Sequence, residues 1–309
     1  MTIGIAVSGP RAGAAVRAAV LGAELLGRGA IGGFAVYAVL DGQGRLQCCA
    51  AQRGGIGALD LPEAWLDARV AAAISSGPDR PEPLVQFLPG ADGVGLVTGH
   101  RLPNRPGPEG VPLNQAVLAR LARGQAPQQA VGAVLAAHAE ADAGLIAVSA
   151  AGALGWANSA RVARRADLGA AQRRNAEGGL AILHNSIHSG LPDLADTLAD
   201  LAWAQAQGRP AAWRFLHLPA PVAVRAAARD RVWVDGTGAI VALETADPHV
   251  PAMQQRGTAV YLGAEVWHDG RKLGHAATEL RADLDGGLAR PLDGPAGCTI
   301  LMRADHVAA

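Results

Sequence analysis

The residue best placed for chemistry is Thr2, directly after the initiator Met1. Methionine removal before a small residue leaves Thr2 with a free α-amine beside its own hydroxyl. An α-amine has a reference pKa of about 7.7–8.0, so an appreciable fraction is neutral at cellular pH. Nucleophile and general base then share one residue. The plain alternative is that a chain begins Met-Thr for no chemical reason.

A second candidate is Thr98-Gly99-His100-Arg101, where an apolar strand ends in a hydroxyl two residues from an imidazole, the minimal nucleophile and base. Thr98 and His100 are therefore candidate catalytic residues, with Arg101 a candidate for substrate binding. His184 and Asn185, at the end of another expected strand, form a polar pair that could orient a ligand. His184 and His188 have the four-residue spacing of a helical metal site, but a strand followed by a loop spoils that geometry, and no metal is expected. Arg11 follows the turn Ser8-Gly9-Pro10 at a helix start, where free N–H groups hold anions. Gly27-x-Gly29-x-x-Gly32 closes a helix instead of opening one, so it reads as a cap and turn and not as a dinucleotide site. The arginines at 161, 164, 165, 173 and 174 have helix-like spacing and read as a solvated face.

These residues need elements to hold them. Ile3 to Val7 reads as a buried strand, Ala12 to Leu26 as a helix, and Ile31 to Leu40 with Arg45 to Ala51 as a hairpin turning at Asp41-Gly42. Pro62 to Ala73 reads as a helix, and the Pro-rich Ser75 to Asp92 as a loop. A strand over Gly93 to Thr98, helices over Leu113 to Ala122 and Pro127 to Ala139, and a hairpin of Gly144 to Ser149 with Leu154 to Asn158 follow. The order helix, strand, turn, strand thus occurs twice, as a weak repeat. A strand over Leu180 to His184 and a helix over Leu191 to Gln207 complete this part. The rest is β-rich, with strands expected at 232–234, 240–243, 259–266 and 299–303. Hairpins between paired helices predict an α+β fold with antiparallel or mixed sheets. The main domain is expected at residues 1–220, and 221–309 as a β-rich extension completing the same fold.

The chain has 309 residues, enough for a large core without disulfides or metals. Its 27 basic and 27 acidic residues cancel, against the positive excess that nucleic acid or a membrane surface requires. Aromatics are only 4% and glycines number 40, so the core must be built from Ala, Val, Leu and Ile. Three cysteines without regular spacing do not make a secreted disulfide scaffold. With no signal peptide and no span of bilayer length, the expected location is cytoplasmic.

Met1-Thr2-Ile3-Gly4-Ile5-Ala6, the paired helices from Leu113 to Ala139, and Ala143 to Val148 followed by Gly152 together resemble the N-terminal nucleophile (Ntn) hydrolases over about residues 1–200. The likeness is one of layout. It implies a four-layer αββα sandwich, amide hydrolysis through an acyl-enzyme, and Thr2 as nucleophile. The assisting lysine of proteasome-like members has no counterpart in the first half, since Lys272 is the sole lysine. Gly236-Thr237-Gly238 superficially matches the self-cleavage site of asparaginase-like members, which ranks Thr237 behind Thr2 and Thr98. The expected activity is hydrolysis of a small amide, cyclic amide or ureide, without a cofactor. Backbone N–H groups of a Gly-rich loop would hold the oxyanion. The expected partner is a small-molecule substrate, with homo-oligomerisation left open. The alternative is a non-catalytic metabolite-binding protein on the same scaffold, holding an anionic ligand near Arg11 and Arg101.

Overall fold

The computed structural model describes residues 1–27, 31–209, 212–293 and 298–305. The protein is α+β and has several sheets. It divides into two compact units, 1–209 and 210–309.

The first unit opens with β1 (Thr2–Ser8), α1 (Ala12–Leu26), β2 (Phe34–Leu40), β3 (Leu46–Ala51), the single turn α2 (Glu63–Leu66) and β4 (Val70–Ser76). It continues with β5 (Gly90–Ala91), β6 (Gly95–Arg101), α3 (Leu113–Ala122), α4 (Pro127–Ala137), β7 (Ala143–Ser149) and β8 (Leu154–Asn158). A single turn α5 (Ala160–Ala163), β9 (Leu168–Arg174), β10 (Gly179–Asn185) and α6 (Leu194–Gln207) close it.

Three elements depart from the sequence reading. Of the helix expected over Pro62 to Ala73 only the single turn α2 forms, and Val70 to Ala73 instead begin the strand β4, which lies between β1 and β2. Val70-Ala71-Ala72-Ala73-Ile74 is buried on both faces there, and such an uninterrupted apolar run carries no period that separates strand from helix. The hairpin of β2 and β3 turns over five residues instead of two. Asp41 Oδ1 accepts the N–H groups of Gln43 and Arg45, and Gly44 takes the left-handed φ of 75°. Arg173 and Arg174 stand on a strand, not a helix, and Arg173 is ion-paired to Asp196 and Asp200 of α6. The Gly27 N–H caps α1 through Ala23, whereas Gly29 lies outside the described residues.

Two antiparallel sheets form the unit, ordered β3-β2-β4-β1-β10-β9 and β5-β6-β7-β8. A shared core joins them, with Ala6, Ala38, Ala72 and Ala181 of the first sheet against Leu96, Ile146 and Val148 of the second. Alanines at the facing positions let the sheets approach closely, which is how an aromatic-poor core reaches native density. The approach is close at Gly4, where a Cβ would overlap the Gly99 backbone. Helices α1 and α6 pack together and on the outer side of the first sheet. On the second sheet, α3 and α4 cover Val97, Leu145 and Ala147.

The second unit is β throughout: β11 (Trp213–His217), β12 (Val222–Ala226), β13 (Arg231–Val234), β14 (Ile240–Thr245), β15 (Arg256–Val260), β16 (Glu265–His268), β17 (Arg271–Ala276), β18 (Leu280–Asp285), β19 (Leu288–Arg290) and β20 (Thr299–Ala304). These ten strands form one mixed sheet with its own core around Val232, Leu243, Val266, Ile300 and Met302. The strand expected over 259–266 is instead the end of β15, a turn at Leu262-Gly263 and the start of β16. No helix among the described residues is long and apolar enough to cross a membrane.

Candidate active site

In β1 the side chains alternate faces, so Ile3, Ile5 and Val7 lie opposite to Thr2, Gly4 and Ala6. Gly4 and Ala6 meet the second sheet, which puts Thr2 on the inter-sheet side at the strand's first position. Register sets its neighbours: Thr2 lies opposite Ser76, the last residue of β4, and Asn185, the last of β10. The amino end of β1 and the carboxyl ends of β4, β6, β8 and β10 therefore share one rim.

Thr2 is only 2% exposed, while Met1 above it is 41% exposed. The Thr2 hydroxyl lies 3.5 Å from Ser76 Oγ. Ser76 Oγ receives an N–H from Arg80 at 2.8 Å and donates to the Met1 carbonyl at 2.9 Å. The Gly77 N–H donates to the same carbonyl at 3.3 Å. A hydroxyl has one proton, so that of Ser76 is committed to the carbonyl. Burial, then the Arg80 and Arg101 guanidiniums, hold the Met1 α-amine below its ordinary value.

His100 reaches the rim from β6. Its Nε2 lies 2.7 Å from Asn158 Oδ1 and its Nδ1 3.3 Å from Asn185 Oδ1. The ring crosses to Asn158 over Gly144, where a Cβ would collide with it. Burial lowers its pKa, partly offset by the two asparagine contacts. This imidazole is held at both nitrogens, and it ties the two sheets together at the rim.

The remaining candidates are not brought to Thr2. Thr98 Oγ1 donates to the Ala73 carbonyl at 2.9 Å, a fully buried structural bond. No hydrogen bond joins Thr98 and His100 among the described residues. Arg101, left-handed at φ 64°, forks onto both oxygens of Asp142, so its charge is already answered within the chain. His184 is next to Asn185 in sequence and therefore on the opposite face of the strand, away from Thr2. There both its buried ring nitrogens lack hydrogen-bond partners, and burial lowers its pKa to about 4. It lines a cavity of about 460 Å³ with Asp167, Ser186, His188 and Asp193. Arg11 lies past the far end of β1, about 20 Å away along a strand of seven residues. Thr237 is exposed in the turn from β13 to β14, with its hydroxyl on Asp235.

A second cavity of about 540 Å³ lies at the far end of β1, lined by Ser8, Arg69, Gln128, Trp156 and Arg174 among others. Thr2 lines neither cavity. Among the described residues no group of three or more His, Cys, Asp or Glu is arranged to hold a metal ion.

The sequence reading missed Ser76, Arg80 and Asn158. The signal for Ser76 and Arg80 was the apolar run ending Ile74-Ser75-Ser76-Gly77, which as a strand antiparallel to β1 brings Ser76 beside Thr2.

No curated protein matches the chain. Residues 221–297, within the second unit, match a domain of unknown function, DUF7259. Residues 2–215 match another domain of unknown function, DUF6963, over more than half of the sequence, and the chain belongs to that family.

Proposed function

We propose that the first unit is an Ntn-hydrolase-like αββα sandwich that hydrolyses a small amide, with Thr2 as nucleophile once Met1 is removed. The observation that carries this reading is the cradle around Met1. The residue to be removed is the cover over a buried Thr2, and its carbonyl sits on two donors, Ser76 Oγ and the Gly77 N–H. Two sheets core to core, each with helices on its outer side, support the same reading.

In this mechanism the neutral α-amine of Thr2 takes the proton of its own hydroxyl as Oγ1 attacks the substrate carbonyl. Negative charge on the carbonyl oxygen falls on the donors that Met1 leaves, Ser76 and Gly77. The ammonium then protonates the leaving nitrogen, the C–N bond breaks, and an ester to Thr2 remains. Water adds to the ester, giving one proton to the α-amine, which returns it to Oγ1 as the acid departs. The balance is amide plus water to acid plus amine.

Intact mass and a panel of simple amides test the proposal. The expected result is a chain lacking Met1 that turns over at least one amide. Thr2→Ala, which also permits methionine removal, should abolish turnover with Tm changed by no more than about 2 °C. A chain that keeps Met1, or a Thr2→Ala variant as active as wild type, defeats the reading.

The cavity at the far end of β1 favours a second reading, ligand binding without turnover. Ligand-induced stabilisation that survives Thr2→Ala, with no amide hydrolysed, is its signature.

A further inference from the structure

Among the described residues Arg80 is a charge without a paired carboxylate. Its backbone is clamped by one side chain: Gln52 Oε1 accepts the Arg80 N–H at 3.0 Å, and Gln52 Nε2 donates to the Arg80 carbonyl at 2.6 Å. The two acids beside it in sequence are engaged elsewhere. Asp79 pairs with Arg53 at 2.9 Å, and Glu82 accepts the Leu84 N–H at 2.8 Å. No carboxylate pairs with Arg80 among the described residues, and its one side-chain hydrogen bond there goes to neutral Ser76. The guanidinium is half-buried, and burial alone lowers its pKa, with no acid acting in the other direction. Arg101 and Arg165, at the same rim, are by contrast neutralised by Asp142 and Asp167.

A half-buried cation is expensive to leave unanswered, and a guanidinium is shaped for bidentate capture of a carboxylate. Met1 indicates where that carboxylate would lie. Its carbonyl marks the acyl position beside Thr2, and its amine, on the acyl side of that carbonyl, feels the Arg80 charge. Ser76 Oγ bonds both the carbonyl and Arg80, so the guanidinium is one hydroxyl away from the acyl oxygen.

We infer that Arg80 selects an anionic acyl group, and that the substrate class is amides whose acyl chain carries a carboxylate a few carbons from the scissile carbonyl, as in half-amides of short dicarboxylic acids. This rests on the Thr2 reading for the chemistry, but not for the anion site. Arg80 is a specificity-determining residue that acts through charge pairing and through orienting Ser76.

The test compares succinyl para-nitroanilide with butyryl para-nitroanilide on the full chain. Wild type should favour the succinyl compound by tenfold or more in kcat/KM. Arg80→Gln should lower the succinyl value by about 10- to 100-fold more than it lowers the butyryl value, the range expected for a hydrogen-bonded charge. Arg80→Lys should retain part of the preference. Equal rates on the two anilides, or equal losses in Arg80→Gln, overturn the assignment. A parallel measurement needs no turnover: succinate should raise the Tm of wild type but not of Arg80→Gln, and succinamide should raise neither. If neither anilide is cleaved but succinate stabilises through Arg80, the Thr2 mechanism fails and the anion site stands. Succinate acting no differently from succinamide, or equally on both proteins, overturns the anion site.

Discussion

The Ser76 hydroxyl donates to the Met1 carbonyl at 2.9 Å while accepting from Arg80 at 2.8 Å, so its proton is aimed before any substrate arrives. On the proposed mechanism that proton meets the developing oxyanion. Ser76→Ala should therefore lower kcat by about a hundredfold or more, the usual effect of deleting one oxyanion donor. The Gly77 N–H remains, so activity should not vanish. Steady-state kinetics beside intact mass check this, since the mass shows that Met1 is still removed. An unchanged kcat would assign the Ser76 hydroxyl to structure alone.

His100 offers a sharp contrast with the α-amine. Both ring nitrogens face asparagine side chains, so the imidazole is a tie between sheets and not a base for Thr2. The proposed mechanism gives a kcat/KM that rises with pH as the Thr2 amine loses its proton. His100→Gln should leave the midpoint of that rise within about half a unit, because the titrating group is elsewhere. It should lower stability by about 1–3 kcal/mol, since Asn158 and Asn185 lose a buried partner. Disappearance of the pH limb in this variant would move the general base to His100.

Most of the first unit was legible because its signals are local. Strand β1, helix α1 and the repeated helix-hairpin pattern follow from apolar spacing and from Gly-containing turns. Strand β4 was not legible, and with it went half the site. An alanine-rich run favours helix when alone and becomes strand only because β1 and β2 flank it, which no local period records. Reading Val70 to Ala73 as helix put Ser76 and Arg80 in an unplaced loop. The strand expected to end at Thr98 runs on to Arg101, which puts Thr98 at its middle, and the partners of Thr98 and His100, the Ala73 carbonyl and the asparagines at 158 and 185, come from β4, β8 and β10. Adjacent His184 and Asn185 look like a pair in the sequence, and strand alternation sends them to opposite faces.

Glu24 predicts a pH dependence of stability. It is 9% exposed on α1, and its Oε1 accepts the Ile56 N–H at 2.8 Å and the Ser75 hydroxyl at 2.9 Å. Burial raises its pKa from 4.5 to about 7, outweighing those hydrogen bonds. The folded state thus holds a proton that the unfolded chain has released between these two values. Stability is then fully present below about 4.5 and falls as pH rises to about 7, by on the order of 3 kcal/mol from this group. Glu24→Gln keeps an oxygen at Oε1 and removes the titration, so its urea midpoint should vary less with pH across that window. Parallel curves for the two proteins would show that Glu24 is not the source.

At Gly4 the two sheets come close, and a Cβ there would overlap the Gly99 carbonyl oxygen, carbon and Cα. All three atoms are backbone of a buried strand, so no rotamer can move aside. Overpacking a core costs about 1–3 kcal/mol when side chains can adjust, and more is expected where only strands can shift. Gly4→Ala should therefore cost about 3 kcal/mol or more. Because Thr2 lies two residues away on the same face, the displaced β1 would also carry the nucleophile away from Ser76 and Gly77, reducing kcat beyond the loss of folded protein. Gly132 on α4 is the control, since a Cβ there meets nothing within 4 Å and alanine should stabilise the helix by about 0.5–1 kcal/mol. Urea unfolding of both variants, with activity measured under fully folded conditions, separates the two effects. A Gly4→Ala protein as stable and active as wild type would mean that the sheets part without disturbing the rim, and that the inter-sheet contact does not position Thr2.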